Sequence, residues 1–256
     1  MGSRMGALLS VAGRLLPKQK EVQEYRKLTF RLTPDYPDEV GIQDQKGFWT
    51  AGRSGKSSVY AFGTKPLSIT DARLAEALKA NMILDYADVL HGSGKQLKER
   101  IDDAYRLALL HPIMSGAERR EIISYMVAHD TAGYGPFSML LDDAKNIEEI
   151  MVDRIDSNIS IYHTKLGYCK TNLEFDSLAA FRFNVNRLIE GSDKELSEEQ
   201  PIIDAQLLDK SRVHAQLKAI ADGGGVLAIR LNGGKRFGID RLISEGTASA
   251  EMLAYM

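Results

Sequence analysis

Few residue groupings in this chain have the spacing of a reactive site, and each has a plain alternative. Thr50-Ala-Gly-Arg-Ser-Gly-Lys-Ser57 ends like a phosphate-binding loop, G-x-x-x-x-G-K-S/T, in which backbone N–H groups, a lysine and a hydroxyl handle phosphate and Mg²⁺. The first position is Thr50 instead of glycine, and strand-like Val59-Tyr-Ala-Phe62 follows where a helix should open, so the stretch reads as a polar hairpin loop. Gly92-Ser-Gly-Lys95 lacks the first glycine and serves as a helix–helix turn. His163 and Cys169 flank a hairpin turn, but two ligands do not make a structural zinc site, and no base is placed to activate the thiol. Arg212 lies in Asp209-Lys-Ser-Arg-Val213, and Arg230 ends the apolar run Val226-Leu-Ala-Ile229. An arginine emerging from a buried strand is poised for bidentate contact with carboxylate or phosphate, or for an ordinary strand-end salt bridge. No serine nucleophile elbow and no metal-ligand motif occurs, so neither a catalytic nor a metal residue is assigned.

The bulk properties narrow the classes. The chain has 256 residues, 44% of them hydrophobic and 27% charged, the profile of a folded globular protein. Lys and Arg number 33 against 35 Asp and Glu, a net charge of −2, so a protein that neutralises many phosphates of nucleic acid is not expected. No run approaches the ~18 apolar residues of a membrane-spanning helix. The single Cys169 excludes an internal disulfide and fits a reducing, cytoplasmic setting.

Hydrophobic periodicity then lays out the elements that must position the arginines. Residues 1–20 form an N-terminal helix or tag-adjacent segment: Met5 to Leu16 is apolar and stops at Pro17, either packing on its own domain or lying on a membrane surface or partner. Residues 21–130 read as a strand-plus-three-helix domain. Strands are expected at Tyr25 to Leu32 and Val59 to Phe62. Helices follow on the stripes Leu74, Leu78, Met82, Tyr86, Val89 (cap Thr70, stop Gly92), on Leu97, Ile101, Tyr105, Ala108 (closed before His111-Pro112), and, after Ser115 and Glu118, on Ile122 and Met126 to about Asp130. Gly133 and Gly135 mark a boundary, so the two units are expected to join near Ala132. Residues 131–256 read as an α/β domain, with strands at Glu149–Val152, Ile159–His163, Tyr168–Phe175, Arg212–Leu217 and Val226–Leu231, a turn at Leu166-Gly167, and a helix capped by Asp176 on the stripe Phe181, Val185, Leu188. A last helix begins at Ser249 and the chain stops inside it, as if cut before its next element. The fold class is therefore α/β (α+β).

The second unit resembles the N-terminal region of archaeal type II/IV secretion ATPases, the motors of archaella, type IV pili and related machines. The matching stretches come in the family's order: Gly133-Tyr-Gly-Pro136, Asn146-Ile-Glu-Glu-Ile-Met-Val-Asp153, Ile161-Tyr-His-Thr-Lys-Leu-Gly167, Thr171-Asn172 with Phe175, Pro201-Ile-Ile-Asp-Ala205, Ser211-Arg-Val213, Ala228-Ile-Arg230 and Gly246-Thr247. Leu208-Asp-Lys210 departs from the family's frequent Pro-Asp-Gly. The first unit matches more loosely, from Tyr60 to Asp130. The resemblance implies a PAS-like mixed α/β domain with an antiparallel sheet, and a C-terminal RecA-like motor domain that this chain lacks. It implies ATP and Mg²⁺ in the full-length protein with none bound by the fragment alone, a homo-oligomer of hexameric form, and a membrane platform protein as partner. It places the protein in the cytoplasm on the inner face of the membrane, and it implies that Arg230 and Arg212 reach the nucleotide.

The function expected is thus a regulatory and coupling region of a secretion, pilus or archaellum ATPase; the alternative is a stand-alone cytosolic adaptor docking on a membrane platform. The chain by itself is expected not to hydrolyse ATP, because no complete phosphate loop stands between a strand and a helix. A steady-state assay with Mg-ATP checks this, and turnover abolished by Lys56→Ala would contradict it.

Overall fold

The computed structural model describes residues 27–43, 48–63, 67–86, 96–112, 117–207, 209–217, 224–232 and 239–255. The expected N-terminal helix, the stop at Gly92 and the cap at Ser115 lie outside them. Among the described residues ten strands run in the order β1 (Phe30–Leu32), β2 (Glu39–Gln43), β3 (Trp49–Ser54), β4 (Ser57–Phe62), β5 (Ile147–Val152), β6 (Asn158–His163), β7 (Gly167–Phe175), β8 (Ile202–Gln206), β9 (Arg212–Leu217) and β10 (Gly225–Arg230). The helices are α1 (Ile69–Asp85), α2 (Leu97–Leu110), α3 (Ala117–Thr131), α4 (Pro136–Leu141), α5 (Leu178–Leu188), α6 (Ile239–Ser244) and α7 (Ala250–Tyr255). The mixed α/β class is as expected, with one large and mostly antiparallel sheet. Among the described residues no helix is long and apolar enough to cross a membrane.

Local signals explain most boundaries. The cap of α1 is Ser68, two residues before the expected Thr70: the Ser68 hydroxyl accepts from the Asp71 amide at 3.2 Å while Asp71 Oδ2 accepts from the Ser68 amide at 2.8 Å, a reciprocal box that Thr70 could not form. Helix α2 ends at His111, whose extended backbone is the one a following proline favours. Ser177, not Asp176, caps α5 by accepting from the Ala180 amide at 3.1 Å. Helix α4 is an addition to the expected elements: Pro136 occupies its first turn, and Gly135 before it holds φ +57, where any side chain would strike Asn184.

The sheet order is β2-β3-β4-β7-β6-β5-β10-β9-β8. All its pairings are antiparallel except β4 with β7, which is parallel. Strand β1 lies on the same edge of β7 as β4, pairing Phe30 with Phe175 while β4 pairs Ser58 to Tyr60 with Cys169 to Thr171. Between the two partners sits Asn172, fully buried, whose side-chain oxygen accepts from the Phe62 amide at 2.8 Å and whose amide donates to the Phe62 carbonyl at 2.9 Å. It completes the ladder where β4 ends and β1 takes over. The sheet therefore crosses the junction near Ala132 without a break.

Two cores result. Helices α3, α4 and α5 cover one face of the sheet with Met126, Phe137, Leu140, Phe181 and Val185 against Ile150, Ile161, Phe175 and Ile229. A smaller core packs α1, α2 and α3 together through Leu78, Met82, Ile101, Ile123 and several alanines, including Ala75, Ala104, Ala108 and Ala128, that let the helices approach closely.

One buried ion pair fastens this bundle to the sheet. Lys79 of α1 donates to Asp130 of α3 at 2.7 Å with side chains 3% and 0% exposed, and it also donates to the Lys27 carbonyl. Asp130 accepts in turn from the Thr29 amide at 3.1 Å and from the Thr29 hydroxyl, just before β1. From the other side Arg187 of α5 donates to the carbonyls of Asp130 and Thr131 at 3.1 and 2.9 Å. Breaking such a pair strands an uncompensated charge. Asp130→Ala is expected to lower unfolding stability by about 3–5 kcal/mol in urea denaturation, whereas the double change Lys79→Met with Asp130→Leu should cost much less than Asp130→Ala alone.

Candidate functional site

Among the described residues α3, α4 and α5 pack on one face of the sheet, and the antiparallel registers decide what the other face carries. Leu227 and Ile229 point into the core, as the alternation of β10 predicted, and Arg230 is exposed on the opposite side. Arg212 stands directly opposite Arg230 on β9, Glu149 directly opposite it on β5, and Tyr162 of β6 directly opposite Glu149. Gln206 and Tyr168 extend the row at its two ends. The result is one line across six strands: Gln206, Arg212, Arg230, Glu149, Tyr162, Tyr168. Among the described residues no side-chain hydrogen bond or ion pair holds Arg212, Arg230, Glu149 or Tyr162.

Two arginines facing each other across a ladder repel, and like charges in directly opposite positions destabilise a sheet. Their strand ends are nevertheless firmly built. The Asp209 carboxylate accepts from the Ser211 amide at 2.9 Å and from the Ser211 hydroxyl at 2.8 Å. The buried Ser211 hydroxyl accepts from the Asn232 amide at 3.0 Å, and the Asn232 side chain donates to the Asp209 carbonyl at 2.9 Å. Residue 211 precedes Arg212 and residue 232 follows Arg230 by two, so this clamp fixes both arginine-bearing ends together. In the next row His214 is occupied, with Nδ1 2.8 Å from Asp204 and Nε2 2.7 Å from the Gln216 amide. Among the described residues the arginines are thus the uncommitted cations of β9 and β10. An anion is the chemistry such a pair lacks.

The other sequence candidates resolve into structure. Thr50 to Ser57 is the turn of the β3–β4 hairpin: Ser54 pairs with Ser57, and Gly55 at φ +58 takes the first loop position, where two-residue hairpins favour glycine. Lys56 and Ser57 line a polar cleft of about 430 Å³ with Asn158 and Lys170, but no helix follows them. His163 is buried and caps its own hairpin, Nδ1 accepting from the Lys165 and Leu166 amides at 3.1 and 3.3 Å; burial holds its pKa below the ordinary imidazole value against the pull of Asp143. Cys169 packs in the core, and burial pushes its thiol up to about 11, the opposite of a reactive nucleophile. Gly94 and Lys95 lie outside the described residues.

Sequence reasoning found the two arginines but missed that they face each other, and missed Glu149 and Tyr162 altogether. The signal for Tyr162 was the alternation of a tyrosine between core residues Ile161 and His163; the juxtapositions belong to strand register, which no local pattern states. Strand β8 was missed because Pro201-Ile-Ile-Asp-Ala205 is too short and mixed to read as alternation.

No family model matches the chain. An uncharacterised protein of Methanocaldococcus jannaschii is 26% identical over 123 residues, 48% of this chain and 46% of that protein. A second uncharacterised protein of the same organism is 30% identical over 114 residues, 43% of this chain and 15% of its own length. The match therefore spans less than half of either relative. Among solved structures, the VirB11 ATPase of the Brucella suis type IV secretion system, in complex with sulphate, is similar over 45% of this chain and 34% of its own at TM-score 0.37 and 18% identity.

The turn before Arg212 carries its own test. Lys210 holds φ +71, the left-handed region that glycine enters freely and that costs other residues about 1–2 kcal/mol. This is the position where the resembled family often has the glycine of Pro-Asp-Gly. Lys210→Gly is expected to leave stability unchanged or raise it by up to about 1 kcal/mol, while Ser211→Ala, which orphans the Asn232 amide, should lower it by about 1–3 kcal/mol. Chemical denaturation of the two variants distinguishes them.

Proposed function

We propose that this chain is the N-terminal regulatory and coupling region of a secretion, type IV pilus or archaellum assembly ATPase. The observation that carries the reading is the pair Arg212 and Arg230, side by side on adjacent strands, on an exposed face, with no ion-pair partner among the described residues. The motif order from Gly133 to Thr247 supports the same reading.

In this reading a motor domain C-terminal to these residues holds ATP with Mg²⁺, and the open sheet face closes over it. Arginine is suited to this task because its planar fork meets phosphate oxygens bidentately and stays charged at any physiological pH. Two such groups stabilise charge that gathers on the transferring γ-phosphoryl. Their pull disappears when the γ-phosphate leaves, so the angle between this region and the motor follows the nucleotide state. The sheet and its helices pass that motion to a membrane platform protein from a homo-hexameric ring on the cytoplasmic side. This chain supplies positioning and charge, and none of its residues is assigned a bond-breaking role.

In the longer protein, Arg230→Ala is expected to lower ATP hydrolysis by about 10²–10³-fold, and in the present chain it should move stability by no more than about 0.5 kcal/mol. Unchanged hydrolysis by the longer protein would remove the phosphate-facing role. A large loss of stability in the chain would instead make Arg230 a structural residue.

A further inference from the structure

We propose that the row on the open sheet face is a mononucleotide platform: Arg212 and Arg230 take the β- and γ-phosphates, Glu149 takes the ribose hydroxyls, and Tyr162 stacks on the base. This rests on the reading of the arginines given above and extends it to the rest of the nucleotide.

The registers supply the geometry. Arg230, Glu149 and Tyr162 occupy consecutive strands at one level of the sheet, on one face. Strands lie about 4.8 Å apart, so Tyr162 stands about 10 Å from Arg230 across the ladder. That is the reach from a base to the distal phosphates of an extended nucleoside triphosphate, and the ribose falls between, over Glu149. The chemistry matches position by position. A guanidinium pair complements phosphate. A carboxylate is acceptor-only and pairs with hydroxyl donors, the use to which dinucleotide-binding folds put an acidic residue at the ribose. Tyr162 is 45% exposed, and any base can stack on an accessible aromatic ring. Tyr168 directly opposite is also exposed, 56%, and its hydroxyl is fixed 2.7 Å from Ser160 Oγ, which bounds the platform on that side. A single-stranded oligonucleotide would need cations along its whole backbone, whereas here a carboxylate interrupts the line between cation and ring. The order of charges selects one nucleotide, with its anionic end toward β9.

The platform is flat and open, so capture by this chain alone is weak and calls for a method that reads millimolar affinity. The isotope-labelled chain is titrated with ATP, 2′,3′-dideoxy-ATP, inorganic tripolyphosphate and an oligoadenylate, following the Tyr162 ring and the Arg212 and Arg230 Nε–H signals. ATP is expected to bind about tenfold more tightly than tripolyphosphate, the value of one stacked base. Tyr162→Ala should erase that preference, Tyr162→Phe should keep it, and Arg230→Ala should weaken both probes. The preference for ATP over its dideoxy analogue should vanish in Glu149→Gln. Equal affinity for ATP and tripolyphosphate in the unmodified chain, or Tyr162→Ala without effect, overturns the platform while leaving the arginine reading intact. Equal binding of ATP and its dideoxy analogue overturns the ribose assignment, and tighter binding of the oligoadenylate overturns the choice of a mononucleotide. Failure of every probe to bind this chain also overturns the platform; the coupling function is judged separately, by hydrolysis in the longer protein.

Discussion

The architecture depends on the double hydrogen bond between the Asn172 side chain and the main chain of Phe62. Strand β7 is nine residues long, and the edge it turns toward the N-terminal strands is shared between β4 and β1. At the change of partner a buried amide and a buried carbonyl would be left without a mate, at a cost of about 1–3 kcal/mol each. A side-chain amide carries both an N–H donor group and a carbonyl acceptor and can stand in for a missing strand residue. With that joint made, the N-terminal hairpin and the later strands become a single sheet.

The covered and uncovered faces follow different physics. The covered face is held by apolar burial and by the enclosed Lys79–Asp130 pair, where geometry and extra hydrogen bonds offset the loss of solvation. The open face has the opposite character, with Arg212 against Arg230 at the one contact where a sheet gains least from charge. A sequence selected for stability alone would place a carboxylate or threonine at one of these positions. The Asp209–Ser211–Asn232 clamp offsets the repulsion by fixing the backbone and leaving only the two side chains to diverge.

Much of this was legible in the sequence, unevenly. The stripes of α1, α2 and α5, the stop before Pro112 and the alternation of β9 and β10 all report local physics, and they place their elements within a few residues. Caps were read less well, because Ser68 competes with Thr70 and Ser177 with Asp176, and only the geometry of the first turn decides. Strand β2 has no buried alternation to betray it, being exposed along most of its length. The arginines were visible as residues, and their partnership was not: register is set by long-range pairing, through bulges near Ile147 and Asn158, that shifts which residues meet. For the same reason the placing of Glu149 between Arg230 and Tyr162 carried no signal until the strands were aligned.

The grip of Arg187 on the last carbonyls of α3 has a mechanical consequence. Those carbonyls lie at the point where the helical bundle meets the sheet, and they are held from one side by a guanidinium of α5 while Asp130's side chain is held from the other by Lys79 and Thr29. A push on the bundle therefore meets a joint with charged hydrogen bonds on both sides and has no soft spring to compress there. Bundle and sheet are thus fastened to each other at this joint, and a tilt of one must carry the other with it.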